Sequence, residues 1–181
     1  MKKVVFGLLL VVSGFAATAQ TEQGNWLVGG NIELNTAKDD TRINFSPSAG
    51  YFFANNFAAG ALVSLDYVKL VNSKTTTFGI GPFARYYFGT TNIRPFAAAD
   101  INFTSSKVKT STTSSSLNGT KWFLGAGLAG FINRNVAIEG TAGYKHTAIK
   151  DQDGTGGFNL RIGFQVYLSS AQVESIKTIT Q

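Results

Sequence analysis

Hydrophobic residues recur at every second position in eight segments of the chain. In the stretch NLRIGFQVYL, residues 159–168, apolar side chains alternate with asparagine, arginine, glycine, glutamine and tyrosine. Strict alternation of this kind predicts β-strands with one apolar and one polar face. The predicted strands are 26–34, 43–53, 57–67, 78–88, 93–103, 122–132, 136–144 and 158–168.

The two faces of these strands differ in charge. The apolar faces carry no formal charge, whereas the opposite faces carry four acids and four bases among small residues, many of them glycine. We predict that these charges form a network on the inside of a closed sheet. Its members are Glu33, Asp66, Arg85, Arg94, Asp100, Glu139, Lys145 and Arg161.

The connections between the strands alternate in length. Residues 54–56, 89–92 and 133–135 form tight turns, whereas the connections between them are longer and polar. Short turns at one end and long loops at the other are typical of an outer-membrane barrel with its turns in the periplasm. Because residues 105–116 read SSKVKTSTTSSS, we expect 105–119 to be the largest and most mobile surface loop. The predicted loops are 35–42, 68–76, 104–121 and 149–157.

The same alternation would suit a soluble, lipocalin-like barrel with its apolar face inside. Two features of the side chains favour the membrane instead. The polar faces are rich in glycine and poor in lysine and glutamate, which suits a narrow lumen. Aromatic residues of the apolar faces concentrate at the strand ends, as at the two interfaces of a bilayer. The girdle residues are Trp26, Tyr51 and Tyr86 at the turn end and Tyr67, Trp122 and Tyr144 at the loop end.

Electrostatic energy supports the same orientation. Bases facing lipid at about 2–4 kcal/mol each would rival a total stability of about 5–15 kcal/mol. Pairing inside a polar lumen removes most of that cost. The sequence therefore predicts an all-β fold, an eight-stranded antiparallel up-and-down transmembrane β-barrel over 24–168, with Arg161 pointing inward. Closure makes Arg161–Glu33 the first pair that we expect, above a lower network of Arg85, Arg94, Asp100 and Glu139.

Two short segments flank the predicted barrel. Residues 1–19 combine a basic start, an apolar run and an Ala-x-Ala site, which predict a cleaved secretory signal peptide. Residues 169–181 are polar, and we expect a loose periplasmic tail. Without Lys2 and Lys3 the net charge falls from +6 to +4, which is too small and dispersed to favour nucleic-acid binding. The chain has no cysteine for a disulfide or a thiolate metal site.

Three prolines, Pro47, Pro82 and Pro95, fall within the predicted strands. Proline lacks the N–H that a β-ladder needs, and a closed barrel has no free edge to accommodate it. We therefore expect bulges or bends at these positions.

Several short stretches resemble one family. The N-terminal ATAQ, GPFARYYF at 81–88, RPF at 94–96 and the closing strand are similar to small outer-membrane β-barrels of the OmpA/OmpX type, especially those of Bacteroidetes. Residues 161–168 resemble the last-strand assembly signal of such barrels. The resemblance implies residence in the outer membrane and contact with its assembly machinery. The family includes anchors, adhesins, narrow channels and a few lipid-modifying enzymes.

Candidate catalytic and metal-binding chemistry is sparse. The single histidine stands in His146-Thr147-Ala148, whereas the resembling lipid A deacylases carry His-x-Ser, so the nucleophile of a Ser–His–acid arrangement is missing. Asp151-Gln152-Asp153-Gly154 lacks the terminal glutamate of a calcium loop. We expect no enzymatic activity, no catalytic or metal site and no cofactor.

Lysines crowd the predicted loop end. They are either solvated or bind the phosphates of lipopolysaccharide, for which a flexible ammonium is a suitable partner. We expect a monomer among outer-membrane lipids, with a structural or surface-interaction role through its extracellular loops and a lumen plugged by the charges. A narrow channel for small solutes and a lipid-modifying enzyme are the alternatives. The lysines are Lys69, Lys74, Lys107, Lys109, Lys121 and Lys150.

Overall fold

Eight antiparallel strands close into a barrel, each paired with its neighbours in sequence, and the last strand pairs with the first. The computed structural model describes residues 21–37, 40–70, 73–110, 114–150 and 153–173. The predicted signal segment 1–19 lies outside these residues. The described chain contains no helix long and apolar enough to span a membrane. The strands are β1 Trp26–Ala37, β2 Asp40–Ala54, β3 Phe57–Leu70, β4 Ser73–Tyr87, β5 Ile93–Thr110, β6 Ser114–Phe131, β7 Val136–Ile149 and β8 Thr155–Leu168.

The predicted fold is confirmed, but the strands run further at one end than the alternation indicates. β5 and β6 remain paired from Ile93↔Gly130 to Lys109↔Ser114, so most of 104–121 is a two-stranded ribbon. The prediction of a large loop at 105–119 is therefore wrong. The predicted loops 35–42 and 68–76 are also largely strand, since pairing reaches Ala37↔Asp40 between β1 and β2 and Leu70↔Ser73 between β3 and β4. The serine and threonine residues of these segments show no hydrophobic alternation, yet their backbones pair with the neighbouring strands.

The short turns lie where they are predicted. Asn55 and Asn56 alone separate β2 from β3, and Asn56 has a φ of 66°. Asparagine tolerates this left-handed conformation better than most residues, because its short polar side chain bonds locally. The turns after β4 and β6 lie at this same end of the barrel. We call it the turn end and the opposite end the loop end.

The alternation assigns the two faces correctly. On β8, Leu160 and Ile162 are 66% and 69% exposed on the outside. Arg161 between them points inward, and its side chain is only 12% exposed. The apolar face of this strand therefore lies on the outer surface of the barrel.

Inward-facing glycines make room for phenyl rings in the narrow lumen. A Cβ at Gly50 would lie 2.7 Å from Cζ of Phe83, and one at Gly143 would lie 2.7 Å from Cζ of Phe123. These rings pack over strands that carry no side chain at the point of contact. Glycine on the polar faces thus reflects packing of a filled lumen.

The prolines do not produce bulges. The only register shift among the described ladders lies between Phe52 and Ala54. Pro47 stays paired with Gly30 on β1, and the β2–β3 register is the same on either side of it. Pro82 likewise pairs with Ala61 on β3, while pairing toward β5 lapses locally without a shift. The carbonyl of Pro95 accepts a hydrogen bond of 2.8 Å from the Phe88 N–H. Each proline removes one N–H donor without changing the register, so the expectation of bulges is wrong, and bends at these positions stay a prediction.

The start of the tail is docked at the turn end. Ser170 Oγ donates to the carbonyl of Gly24 at 2.6 Å, and Asn135 Nδ2 donates to Gln172 Oε1 at 2.9 Å. The expectation of a loose tail is therefore wrong for 169–173. The remainder of 169–181 lies outside the described residues.

Candidate functional site

The turn end of the lumen is filled by aromatic rings. Phe52, Tyr87 and Tyr167 are buried, with the Phe52 ring centroid 5.9 Å from that of Tyr87 and 6.2 Å from that of Tyr167. Arg94 is buried beside them. Its guanidinium lies 5.2 Å from the centroid of Phe131, and its Nη1 donates to Thr21 Oγ1 at 2.5 Å. This aromatic floor closes the periplasmic side of the predicted topology.

Above the floor lies the lower tier, Arg85 and Glu139. Arg85 Nη1 is 2.6 Å from Glu139 Oε2, and both side chains are almost completely buried. The hydroxyls of Tyr167 and Tyr87 donate to Glu139 Oε1 at 2.9 and 3.4 Å. A buried carboxylate is tolerable only when it is paired and hydrogen-bonded, and here both of its oxygens are engaged.

The upper tier centres on Arg161, which contacts two acids. Its Nη1 lies 2.5 Å from Asp100 Oδ2, and its Nε lies 3.3 Å from Glu33 Oε1, the partner expected from closure. Lys145 Nζ lies 3.1 Å from the other oxygen of Glu33. The Arg161 guanidinium also covers the Phe123 ring at 3.6 Å, which adds a cation–π contact.

A further ion pair stands nearest the loop end. Lys121 Nζ lies 2.7 Å from Asp66 Oδ2, and Asn44 Nδ2 donates to Asp66 Oδ1 at 2.6 Å. Lys121 therefore points into the lumen, and its assignment to the lipopolysaccharide-contacting lysines is wrong. The alternation on β6 continues one residue beyond the predicted start at 122, and that signal could have identified it.

Seven of the eight predicted lumenal charges form these five ion pairs, together with Lys121. The eighth, Arg94, lies in the aromatic floor. Asp100 was expected in the lower network, but it pairs with Arg161 in the upper tier. Asp100 lies seven residues beyond the start of β5, and Arg161 lies seven residues before the end of β8, so both stand equally far from the turn end.

Little space remains among these side chains. Two cavities of about 20 Å³ each lie along the lumen, and Arg161 and Asp100 line both. Each is roughly large enough for one water molecule. Arg161 spans the lumen between β8 and β5, since it reaches Asp100, and therefore lies across the path of any solute.

The outer surface carries the predicted aromatic girdles. Trp26 and Tyr86 are half-exposed at the turn end, and Tyr67, Trp122 and Tyr144 are half-exposed toward the loop end. Tyr51 is partly buried because its ring packs edge-on against Trp26, at 5.4 Å between centroids. Beside Trp122, the ring of His146 stacks at 5.6 Å. His146 thus extends the loop-end girdle, beyond Tyr144 on the same face of β7.

The lysines predicted at the loop end separate into several groups. Lys69, Lys74, Lys107 and Lys150 are exposed, and Lys121 is lumenal. The side chain of Lys109 lies outside the described part, although its backbone pairs opposite Lys74. Within the described residues, no group of three or more histidine or acidic side chains is placed to hold a metal ion.

Comparison with known proteins identifies the architecture. The family model described as the outer membrane protein beta-barrel domain matches residues 6–165. The chain belongs to this outer-membrane β-barrel family. Membership, together with the apolar outer surface, makes it an integral protein of the outer membrane whose exposed aliphatic band faces lipid. Comparison with the curated proteins gives no match.

Solved structures show the same fold at low sequence identity. The N-terminal β-barrel domain of OprF from Pseudomonas aeruginosa is 17% identical, with a TM-score of 0.59, over 81% of this chain and 98% of that one. Neisserial surface protein A is 18% identical, with a TM-score of 0.53, over 78% and 93% of the respective chains. OprG from Pseudomonas aeruginosa is 11% identical, with a TM-score of 0.53, over 84% and 99%.

The inward aromatic residues are the main part of this site that sequence analysis missed. Tyr87, Phe96 and Tyr167 stand at polar-face positions, and Tyr87 and Tyr167 complete the hydrogen bonds of Glu139. Large rings on a polar face are informative, because a solvated face rarely carries several of them. That signal was available in GPFARYYF, where both Phe83 and Tyr87 lie on the arginine's side of the strand.

Proposed function

We propose that this protein is a closed outer-membrane barrel that acts as a structural or surface-interaction element through its loop end. The observation that carries the proposal is Arg161, which bridges Asp100 on β5 and Glu33 on β1 across the lumen. The aromatic floor and the Arg85–Glu139 pair add a second obstruction below it. A lumen obstructed twice leaves the loop end and the lipid-facing surface as the places for interaction.

The proposal includes export and orientation. We infer that residues 1–19 are removed as a signal peptide, and that the tight turns face the periplasm. Short periplasmic turns are the rule in bacterial outer-membrane barrels. The paired β5–β6 ribbon then projects outside the cell and presents serine, threonine and lysine side chains, such as Ser105, Thr120 and Lys107.

Conductance tests the closed lumen. Purified wild-type protein incorporated into planar bilayers should carry little or no current, since Arg161 and Arg85 are held in place by acids on other strands. Stable and reproducible open-channel steps would overturn the proposal. They would promote the alternative function, a narrow channel for small solutes.

One observation favours that alternative enough to retain it. Polar side chains, including Asn31, Ser48 and Asn102, line the upper part of the lumen beside the water-sized cavities. A hydrophilic lining would suit a small solute if the ion pairs exchanged partners. We propose no enzymatic role, because His146 packs against Trp122 and is followed by Thr147 and Ala148, not by a serine nucleophile. A His146→Ala variant that altered lipid A acylation, detected by mass spectrometry, would contradict this.

A further inference from the structure

A patch of lysines covers the outer surface of β3–β5 at the loop end. Lys69 on β3 pairs in register with Lys74 on β4, and Lys74 in turn pairs with Lys109 on β5. Lys107 stands one alternation lower on β5, opposite Thr76. The side chains of Lys69, Lys74 and Lys107 are all exposed, and we call these three residues the lysine patch.

The lysine patch begins where the apolar surface of the same strands ends. Lys69 follows Leu65 and Tyr67 on the outward face of β3, and Lys74 lies beyond outward-facing Phe78 on β4. Two residues along a tilted strand correspond to about 5 Å of height. The ammonium groups therefore lie just above the aromatic girdle, which marks the depth of the lipid headgroups.

The pairing of Lys69 with Lys74 is unfavourable by itself. Like charges directly opposite each other on antiparallel strands destabilise a sheet. Within the described part of the chain, none of the three ammonium groups has a carboxylate at ion-pair distance, whereas Lys121 and Lys145 in the lumen each have one. An anion between Lys69 and Lys74 would replace their repulsion with attraction.

We propose that the lysine patch binds the phosphate groups of a phosphorylated glycolipid of the outer leaflet, of the lipid A kind. Lysine is a suitable phosphate partner because its ammonium is a compact charge on a flexible stem. Leu65, Tyr67 and Phe78 below the patch are placed to contact the acyl chains of the same lipid. A free anion would use only the lysines, so the continuous apolar surface favours a lipid. The inference deepens the proposed function by naming a partner surface, and it depends on the orientation of the barrel but not on its closed lumen.

Lipid titration with matched variants tests this proposal. The full chain in zwitterionic detergent is titrated with bisphosphorylated lipid A, and retained lipid is counted by native mass spectrometry. Each lysine near an anionic lipid surface contributes roughly a factor of five, so Lys69→Gln/Lys74→Gln should weaken binding about 30-fold. The control Arg134→Glu changes the net charge by the same two units at an exposed position of the turn end and should leave the affinity within about twofold of wild type. The conservative variant Lys69→Arg/Lys74→Arg should retain binding.

Three outcomes would overturn the proposal. They are equal binding of dephosphorylated lipid A with the same acyl chains, an equal loss in the control variant, and displacement of the lipid by millimolar inorganic phosphate. Heat-modifiable migration of each variant on a gel establishes that the barrel is folded, which the exposed positions of these lysines should permit. A conducting wild type would contradict the closed lumen and leave lipid binding unaffected, so the two proposals fail separately.

Discussion

Arg161 pairs with two acids in the lumen. It bonds to Asp100 and Glu33 and covers the ring of Phe123. The two acids differ in what they would retain without it. Glu33 keeps Lys145 and Asn159 as partners, whereas Asp100 keeps, among the described residues, only the 3.2 Å hydrogen bond from Asn102.

Replacing Arg161 by leucine should lower the free energy of unfolding by about 3–5 kcal/mol, because a buried carboxylate loses its ion-pair partner. Adding Asp100→Asn should recover more of that loss than adding Glu33→Leu, since Glu33 is still neutralised by Lys145. Urea unfolding in detergent micelles, followed by tryptophan fluorescence, measures both. Arg134→Leu in an exposed turn is the control and should stay within about 0.5 kcal/mol of wild type. An equal cost in that control, or no recovery in either double variant, would contradict the network.

At this scale the sequence predicted which residues point inward better than it predicted their partners. Alternation alone gives the face, so Glu139 and Arg161 were placed in the lumen correctly. Partners depend on strand inclination and shear, which do not show in the period of a single strand. Asp100 was assigned to the wrong tier for a simpler reason, because its distance of seven residues from the start of β5, which equals that of Arg161 from the end of β8, was not used. Lys121 was misplaced for a different reason, since the boundary of β6 was drawn at Trp122.

Among the elements, the β5–β6 ribbon is the largest departure from expectation. Its outer part contains SSKVKT and SSSLNG, whose composition is typical of flexible loops. The structure pairs Lys107 with both Thr76 and Ser116, so this backbone is held from two sides. Composition indicates how much apolar side-chain surface a segment can bury, and a ribbon outside the bilayer needs to bury little of it. Backbone pairing and β-branched threonine suffice there.

Trypsin added to intact cells should therefore leave the bond after Lys107 intact, because proteases cut extended, unpaired backbone. Arg134 lies in the tight turn at the other end and should be cut only after the outer membrane is permeabilised. Mass spectrometry of the released peptides identifies each cut. Rapid cleavage after Lys107 would contradict the paired ribbon, and cleavage after Arg134 in intact cells would reverse the topology.

For the whole molecule, closure between β1 and β8 decides whether the sheet is a barrel. This seam is the shortest ladder, with pairs from Trp26↔Leu168 to Ile32↔Ile162, whereas β5 and β6 pair from Ile93↔Gly130 to Lys109↔Ser114. Closure was predictable because an open edge cannot exist in hydrocarbon. The limited length of the seam was not predictable, since the alternation continues beyond it to Leu34 on β1 and to Phe158 on β8. The upper tier compensates for the short seam, because the ion pair between Arg161 and Glu33 joins β8 to β1 just above the last paired residues.

A cysteine pair across the seam tests closure directly, since the chain has no cysteine of its own. Val28 and Val166 are partners in register, and directly opposed residues of antiparallel strands lie about 4.5–5.5 Å apart at Cα, which suits a disulfide. Val28→Cys/Val166→Cys should cross-link on mild oxidation. After boiling, the cross-linked chain should migrate differently on a non-reducing gel from the same chain boiled with reductant. Val28→Cys/Leu160→Cys places both thiols on the outer face but six residues out of register, so it should not cross-link. Equal cross-linking of the two pairs would mean that the seam slips, and absence from both would mean that β1 and β8 do not meet as the register requires.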